Sequence, residues 1–430
     1  MAEAFRIALA GLGTVGVGVL RLLERNAALI AERAGRPIEV VAVSARDRQR
    51  DRGIATDHLR WHDDATLLAQ ADDVDGVVEL MGGSDGPALA LARSTLEAGK
   101  PFVTANKAMI AHHGHALASL AERHGAGLRF EAAVAGGIPI LKALRHGLAA
   151  NRINSVYGIL NGTCNYILTV MERDGRDFDD VLMEAQQLGY AEADPSFDID
   201  GIDTAHKLAI LAALAFNSVV HFDAVAVEGI RQISPIDIDY ALELGYRIKL
   251  LGIANRLDGE IEQRVHPCLV AEEHPLAQVD GSMNAVVAEG DFVGRTVFEG
   301  AGAGAGPTAS SVVADLIDIV RGEAGPAFSV PVGGLTALRP MDLDTHVGRY
   351  YVRLTVKDQP GVVADVAAIL RDEGVSMASL IQKDGGPKDS VFLVLTTHET
   401  LEAGIVRGLA QFAALDSVIA DPVMLRIKAL

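Results

Sequence analysis

The stretch 5-FRIALAGLGTVGVGVLRLL-23 decides the fold of the first part of the chain. FRIALAG is typical of a buried strand and TVGVGVLRLLERNAALIAER of a helix, so Gly11, Gly13 and Gly16 form a G-x-G-x-x-G turn between them. Glycines there permit a tight turn and a close approach of the backbone to a pyrophosphate, whose charge the helix N-terminus would meet. The turn, with Thr14 and Val15, is therefore predicted to bind a dinucleotide. A glycine-rich turn without a ligand is the alternative.

Further predicted strands, with helices between them, follow this turn. IEVVAVSA, VDGVVELMG and PFVTANK are short apolar runs with helical patterns between them. Buried strands that alternate with helices are typical of a parallel, doubly wound sheet. The predicted fold class is α/β, with a Rossmann-type parallel sheet at the N-terminus.

The end of the second predicted strand bears on the choice of cofactor. NAD enzymes usually have Asp or Glu there, which binds the ribose hydroxyls. This chain has Ser44, Arg46 and Arg48 around Asp47. A guanidinium at that point suits a 2′-phosphate, so Arg46 is predicted to contact NADP(H). NAD(H) is the alternative cofactor, and a solvated basic loop is the alternative structure.

Composition excludes several classes of protein. The chain has 430 residues, 49% of them hydrophobic, and a formal net charge of -19. These values indicate two or three globular domains and argue against nucleic acid or an anionic membrane as a partner. No apolar run is long enough for a membrane span, and the N-terminus does not have the pattern of a signal peptide. Cys164 and Cys268 lie far apart without metal-ligand spacing, which suits the reducing cytoplasm.

The pattern changes along the rest of the chain. From about residue 151, helical segments lead through an acidic stretch to an apolar helix, and β-rich pieces follow. AGPAFSVPVGGLTALRP is typical of a linker. The last part is predicted as β-α-β-β-α-β, a small α/β sandwich that folds separately.

The acidic stretch 191-AEADPSFDIDGIDTAHK-207 contains candidate catalytic residues. If Asp200 is the N-cap of the following helix, Asp203 falls at its third position, as in a capping box. Asp203 and Lys207 are four residues apart and share a helical face, where the lysine could transfer a proton to or from a substrate oxygen. A surface salt bridge is the alternative. Lys107, in TANK, follows a predicted strand at the edge where such sheets bind ligands, or else is a surface lysine at a helix start.

Together these motifs resemble a homoserine dehydrogenase of the long form, which has a C-terminal ACT domain. The resemblance extends over essentially the whole chain and rests on GLGTVG, TANK, FEAAVAGGIPI, LNGTCNYIL, LGYAEADPSFDIDGIDTAHKLAIL, GAGPTASSVVADL and the ACT-type opening at Asp358, Pro360, Gly361 and Val362. Such enzymes interconvert L-homoserine and L-aspartate 4-semialdehyde with NAD(P)(H), a step toward threonine and methionine. The alternatives are another ACT-bearing dehydrogenase and a nucleotide- and amino-acid-binding sensor without catalysis.

The resemblance implies roles for individual positions. Lys207 would be the acid/base, held by Asp203, with Lys107 beside the nicotinamide and the substrate. Glu192 would bind the substrate ammonium, and Asp198 and Asp203 would also face the substrate. Further implied cofactor contacts are Thr104, Ala105, Gly189, Gly304 and Gly306, and a monovalent cation, usually sodium, would be held largely by backbone oxygens of Glu131, Val134, Gly136 and Ile138.

The expected domain arrangement follows from the same comparison. It comprises an NAD(P)-binding domain at 1–135 that is completed by 300–322, an α+β substrate-binding and dimerisation domain at 136–300, a linker at 323–348 and an ACT domain at 349–430. The expected partners are an amino-acid effector at the ACT domain, with threonine as the family expectation, and further copies of the chain in a homodimer or homotetramer. The expected location is the cytoplasm.

Overall fold

Strands and helices alternate through the N-terminal part of the computed structural model, which describes residues 3–323, 325–384 and 390–428. The strands are Phe5–Ala10 (β1), Ile38–Ser44 (β2), Arg60–Trp61 (β3), Gly76–Glu79 (β4), Phe102–Thr104 (β5) and Leu128–Arg129 (β6). The helices are Thr14–Arg25 (α1), Ala27–Ala34 (α2), Pro87–Glu97 (α3) and Lys107–His124 (α4). The strands pair in parallel in the order β3-β2-β1-β4-β5-β6, which confirms the predicted Rossmann-type sheet.

One detail of this part differs from the prediction. The single helix expected after the glycine turn is two helices, α1 and α2, because Asn26 leaves the helical conformation with φ −108° and ψ 21°. The amide of Asn26 still donates to the Leu22 carbonyl and so ends α1.

The central part combines a sheet with helices that cover it. Its helices are Ile140–Lys142 (α5), Gly162–Asp174 (α6), Phe178–Gln187 (α7), Ser196–Ile199 (α8), Ile202–Phe216 (α9), Pro235–Glu243 (α10) and Ala305–Val320 (α11). Its strands are Ile153–Ile159 (β7), Ala226–Val227 (β8), Tyr246–Leu257 (β9), Glu260–Ala271 (β10), Met283–Gly290 (β11) and Gly294–Ala301 (β12). α9 is almost fully buried, since it packs on β7, β9 and β10 and on α4. The starts of α4 and α9, which carry the candidate lysines, are thereby brought together.

The C-terminal part has the predicted β-α-β-β-α-β order. After the short strand Arg339–Pro340 (β13), its elements are Val347–Lys357 (β14), Val362–Asp372 (α12), Met377–Asp384 (β15), Ser390–Thr397 (β16), Thr400–Leu401 (β17), Glu402–Ala413 (α13) and Val423–Ile427 (β18). That this part folds as a separate unit stays a prediction, since it has a hydrophobic core of its own, although one of its strands joins the central sheet. Its strand β18 runs parallel to β10, with Cys268 opposite Arg426 and Leu269 opposite Ile427.

The central and C-terminal strands therefore form one large sheet. Its order is β12-β11-β7-β9-β10-β18-β14-β16-β15. α11 returns to the N-terminal part and packs on α1, where a Cβ on Gly18 would lie 2.5 Å from the carbonyl oxygen of Ala305. Within the three described ranges, no helix has the length and apolar character that crossing a bilayer requires.

Candidate active site

The glycine turn between β1 and α1 is built for a ligand. Gly11 has φ 103°, and a Cβ there would lie 2.5 Å from the carbonyl oxygen of Leu80. A Cβ on Gly16 would lie 2.1 Å from the carbonyl oxygen of Gly11, so the packing of the chain itself requires both glycines. A Cβ on Gly13 would meet nothing within 4 Å, and no side chain caps α1. Open space beside free helix N–H groups fits a pyrophosphate.

Hydrogen bonds hold the ends of β4 and β5 against the start of α4. Glu79, which is fully buried, accepts hydrogen bonds from Thr104 Oγ1 (2.6 Å) and from the amide of Gly82 (3.1 Å). Thr104 Oγ1 in turn accepts from the amide of Asn106 (2.9 Å), and the Asn106 side chain caps α4. Lys107, the first residue of α4, is therefore held by a hydrogen-bonded loop. Glu79 was not predicted as a site residue, because one acid within an apolar run has no distinguishing spacing.

Asp203 joins both candidate lysines. Its Oδ2 lies 2.7 Å from Lys207 Nζ, and its Oδ1 lies 2.9 Å from Lys107 Nζ. Asn161 Nδ2 also donates to Oδ2 (2.8 Å), and Lys207 Nζ donates to the carbonyl of Leu160 (2.6 Å). Asp203 is 3% exposed and Lys207 is 9% exposed. This is an enclosed ion cluster and not the surface salt bridge that was the alternative.

The ionisable groups of this cluster have pKa values that are shifted in different directions. Burial raises the pKa of the Asp203 carboxyl, but Lys207 and Lys107 outweigh burial and hold that pKa well below its usual range. Burial lowers the pKa of Lys107, and Asp203 more than offsets this. Burial and the negative charge of Asp203 raise the pKa of Asp198, against a hydrogen bond from Asn161 Nδ2 (2.7 Å). A further cation would therefore stabilise the negative charge of Asp198 more than that of Asp203.

Asp200 is not the predicted cap. The N-cap of α9 is Gly201, whose φ of 87° turns the chain between α8 and α9. Asp203 is consequently the second residue of the helix and not the third. Asp200 instead accepts hydrogen bonds from the Arg231 guanidinium, near the surface.

The remaining substrate and cofactor candidates make no hydrogen bond or ion pair with the charged groups of the cluster in the part of the chain that the structure describes. Glu192 is exposed, and its charge contributes to the raised pKa of Lys107. Gly189, with φ 79°, lies in the turn after α7, and Gly304, with φ 117°, precedes α11. A Cβ on Gly306 would meet nothing within 4 Å.

Arginines follow β2, as the cofactor prediction requires. Arg46 is exposed. Arg52 Nε donates to the carbonyl of Leu12 in the glycine turn (3.2 Å). The guanidinium groups of Arg48 and Arg52 lie 5.8 Å and 5.5 Å from the centre of the Trp61 ring. Arg52 was not predicted as a site residue, although it belongs to the same basic run as Arg46 and Arg48.

A cavity of about 430 Å³ opens between the ends of β4 and β5 and the start of α9, with Lys107 in its wall. The ring of Phe197 lies 5.4 Å from Lys107 Nζ and 5.5 Å from the ring of His206. His206 stacks on Phe222 at 4.3 Å, and burial and His112 lower the pKa of His206 to about 4. This ring stack was not predicted, because its members have no common spacing in the sequence.

The segment predicted to hold a cation has an unusual backbone. Ala135 (φ 54°) and Gly136 (φ 49°) are consecutive left-handed residues. The Glu131 carboxylate accepts hydrogen bonds from the amides of Leu141 (2.9 Å) and Lys142 (2.8 Å), and burial and the nearby Asp315 raise its pKa to about 8. No group of three or more His, Cys, Asp or Glu side chains among the described residues is arranged to hold a metal. Any cation here would therefore depend on backbone oxygens.

Three family models match the chain. Residues 11–131 match the homoserine dehydrogenase NAD-binding domain, residues 139–317 match homoserine dehydrogenase, and residues 350–416 match the ACT domain.

Full-length relatives agree with these matches. The chain is 46% identical to a homoserine dehydrogenase of Pseudomonas aeruginosa and 47% identical to one of Neisseria gonorrhoeae, and each alignment covers at least 98% of both chains. A crystal structure of a homoserine dehydrogenase from Thiobacillus denitrificans is 46% identical, with a TM-score of 0.93 over 99% of this chain and 98% of that one. With a nicotinamide-binding domain, a catalytic domain and an ACT domain in sequence, the chain belongs to the homoserine dehydrogenase family.

Proposed function

We propose that the chain interconverts L-homoserine and L-aspartate 4-semialdehyde by proton transfer at Lys207, with NADP(H) as the preferred cofactor. The observation that carries the proposal is the buried Asp203 carboxylate between the ammonium groups of Lys207 and Lys107. This cluster lies at the carboxyl end of the parallel sheet, because Lys107 begins the helix that follows β5. Ligands of such sheets bind at that edge.

The bound nicotinamide supplies or accepts the hydride. In the reducing direction, Lys207 donates a proton to the aldehyde oxygen, and in the oxidising direction it accepts the proton of the hydroxyl group. Asp203 orients the Lys207 amino group, together with the Leu160 carbonyl. Lys107, which is more exposed and borders the cavity, orients the substrate and is the alternative proton donor.

Asp198 and Glu192 bind the substrate ammonium in this proposal. Asp198 carries a pKa raised by burial and by Asp203, so a substrate ammonium would relieve an unfavourable charge. Glu192 is exposed and can approach the substrate from the outer side.

The experiment follows oxidation of L-homoserine by the absorbance of the reduced nicotinamide. Lys207→Ala should lower kcat strongly and leave the affinity for NADPH nearly unchanged. Lys107→Ala should mainly raise KM for L-homoserine. Wild-type turnover by Lys207→Ala with loss of turnover by Lys107→Ala would reverse the two roles. Absence of cofactor reduction by the wild-type chain would reject the enzymatic proposal.

The preference for NADP(H) rests on the basic run after β2. Arg46 is exposed at the position expected for the 2′-phosphate, and Arg52 contacts the glycine turn. A guanidinium binds a phosphate through charge-assisted hydrogen bonds, whereas the ribose hydroxyls of NAD(H) would gain little from it. The ratio of kcat/KM for the two cofactors tests this preference.

A sodium ion held by the backbone oxygens of Glu131, Val134, Gly136 and Ile138 is part of the proposal. Two consecutive left-handed residues free this loop to direct carbonyls toward one point. The Gly136 carbonyl accepts one hydrogen bond, from Ser311 Oγ (2.7 Å), and so retains a lone pair for a cation. Thermal stability in sodium and in a larger monovalent cation tests the site.

Regulation and assembly complete the proposal. An amino acid, with threonine as the first candidate, acts through the ACT domain, and the chain forms a homodimer or homotetramer. Support for assembly comes from β12, an edge strand of the large sheet, and from Phe292, which is 91% exposed in the adjoining turn. Light scattering tests the assembly. The domain boundaries at residues 135, 300, 322 and 348 remain proposals. The cytoplasmic location is a further proposal, which the two free buried cysteines favour.

A further inference from the structure

A second cavity, of about 160 Å³, lies where β10 of the central part meets β18 of the ACT domain. We call it the seam cavity. Alternate residues of β9 and β10 form one part of its wall, and consecutive residues at the start of β14 and the end of β18 form the other. The residues that matter below are Arg264, His266, Arg349, Glu399, Arg426 and Lys428.

Two of the basic residues in this wall are already paired. Arg264 Nη1 lies 3.2 Å from Glu402 Oε2. Arg426 binds Glu402 and also lies 2.8 Å from Glu228 Oε2 through its Nη1. Their charges are neutralised within the protein, so they need no ligand.

The other two basic residues are not paired in this way. Among the described residues, no acidic side chain lies within 4.0 Å of the charged groups of Arg349 or Lys428. The Lys428 ammonium lies over the Tyr157 ring, 4.6 Å from its centre. Burial lowers the pKa of Lys428, which a bound anion would oppose.

His266 adds an unused polar atom. The residue is 3% exposed, and its Nδ1 lies 3.1 Å from the carbonyl oxygen of Pro267 and 3.2 Å from Cys268 Sγ. Its Nε2 has no hydrogen-bond partner in the described structure. In the tautomer in which Nδ1 donates to the Pro267 carbonyl, Nε2 is an acceptor, and a buried acceptor without a partner is uncommon in native proteins.

The charges around the seam cavity match a small zwitterion. Arg349 and Lys428 are free to bind a carboxylate, while Glu399, which is exposed at the edge of the cavity, and His266 Nε2 can accept from an ammonium group. The volume of about 160 Å³ suits an amino acid with a short side chain.

We propose that the seam cavity binds a small α-amino acid, with its carboxylate between Arg349 and Lys428 and its ammonium toward Glu399 and His266. The site deepens the proposed amino-acid regulation, on which it rests. It is separate from the cavity of about 170 Å³ at the ACT turn, which Asp358–Gly361 and Gln382 line.

A continuous path of contacts leads from this site to the catalytic helix. Glu228 pairs with Arg426 of the seam, and its amide donates to the carbonyl of Val265 (2.8 Å). A Cβ on the next residue, Gly229, would lie 2.2 Å from the carbonyl oxygen of Ile199. A Cβ on Gly201, the N-cap of α9, would lie 3.1 Å from Val265 Cγ1.

This packing ties the seam to the start of α9. A shift of Arg426 on ligand binding would move the segment after β8 against the turn that precedes Asp203. The backbone of Gly229 and Gly201 packs so closely on its neighbours that even a Cβ would crowd them, so the packing has little room to absorb such a shift.

The test titrates the full-length chain, without substrate, with L-threonine and L-serine in a calorimeter. The seam variant combines Arg349→Gln and Lys428→Gln, and circular dichroism verifies its fold. Gln382→Ala changes the turn cavity, and Arg371→Gln is a matched control at an exposed arginine that pairs with its neighbour Asp372. We expect Kd for one of the two amino acids to rise at least about tenfold in the seam variant and to stay unchanged in the other two variants.

Two outcomes would overturn the site. One is an unchanged Kd in the seam variant with binding lost in Gln382→Ala, and the other is no binding of either amino acid to the wild-type chain. Seam-dependent binding that leaves dehydrogenase activity unchanged would reject the proposed regulation but retain the site. The two proposals can therefore fail independently.

Discussion

Replacing Asp203 with asparagine keeps the size of a side chain that is 3% exposed and removes its charge. In the wild-type chain this carboxylate lies 2.7 Å from Lys207 Nζ and 2.9 Å from Lys107 Nζ. The variant would bring two ammonium groups together without the anion between them. Removing one partner of a buried ion pair typically costs about 3–5 kcal/mol. We expect the free energy of unfolding at neutral pH, measured with urea, to fall by this order.

The same variant should be a poor catalyst. Lys207 would lose the group that orients its ammonium, and positioned proton transfer contributes about 10²- to 10⁴-fold to the rate of a reaction. We expect kcat for L-homoserine to fall within that range. KM for the nicotinamide cofactor should change little, because the partners of Asp203 are Lys207, Lys107 and Asn161, and none of them belongs to the glycine turn.

The pH dependence of the stability difference has a definite sign. The ammonium groups hold the pKa of Asp203 below its usual value, even though burial opposes them. A depressed carboxyl pKa provides stability above the unfolded-state pKa and loses it as the pH falls through the folded-state pKa. The difference between wild type and variant should therefore be full at neutral pH and shrink below about pH 4.

Asp200→Asn is the matched control, because it changes an acid of the same stretch that pairs with Arg231 near the surface. We expect it to alter stability by less than about 1 kcal/mol and to leave kcat unchanged. An Asp203→Asn chain with wild-type kcat and wild-type stability would refute the proposed role of the cluster.

Three further predictions concern the cofactor and the ring stack. Gly13→Ala should fold normally and bind NADPH more weakly, because its Cβ would occupy the open space proposed for the cofactor. Gly16→Ala should fold poorly, because its Cβ would lie 2.1 Å from the Gly11 carbonyl oxygen. Cofactor fluorescence measures the first effect and thermal melting the second. Arg46→Ala should raise KM for NADP+ about tenfold and leave KM for NAD+ nearly unchanged, and an equal effect on both cofactors would contradict a contact with the 2′-phosphate. The pKa of His206 in the folded chain is lowered to about 4, so the wild-type chain should lose stability as the pH falls from 6.5 to 4. His206→Phe should reduce this loss. Identical pH profiles of unfolding for variant and wild type would count against a buried neutral ring.

Local features of the site could be predicted from the sequence. The glycine turn needs only a strand, a turn and a helix in succession, and Asp203 and Lys207 share a face because they are four residues apart in a helix. The C-terminal order of strands and helices was predicted for the same reason. The cap at Asp200 failed, because a left-handed glycine one residue later was able to begin the helix without it.

Features that depend on distant contacts could not be predicted. Asn161 binds Asp198 and Asp203 across 37 and 42 residues, and its signal in the sequence was only that of a helix cap. Phe197, His206 and Phe222 meet because α8, α9 and the segment after them converge. The joining of β10 and β18 likewise depends on tertiary packing and leaves no local pattern.

The shared sheet has a consequence for attempts to dissect the protein. Deleting the chain after residue 348 would expose the edge of β10 where β18 now pairs, and unpaired edges of that kind promote aggregation. The deletion would also remove Glu402, one of the two acidic partners of the buried Arg264 guanidinium, and leave Glu262 as the other. The intact chain should consequently melt its central and C-terminal strands in one calorimetric transition, and removing the effector domain should yield an insoluble fragment and not an unregulated enzyme.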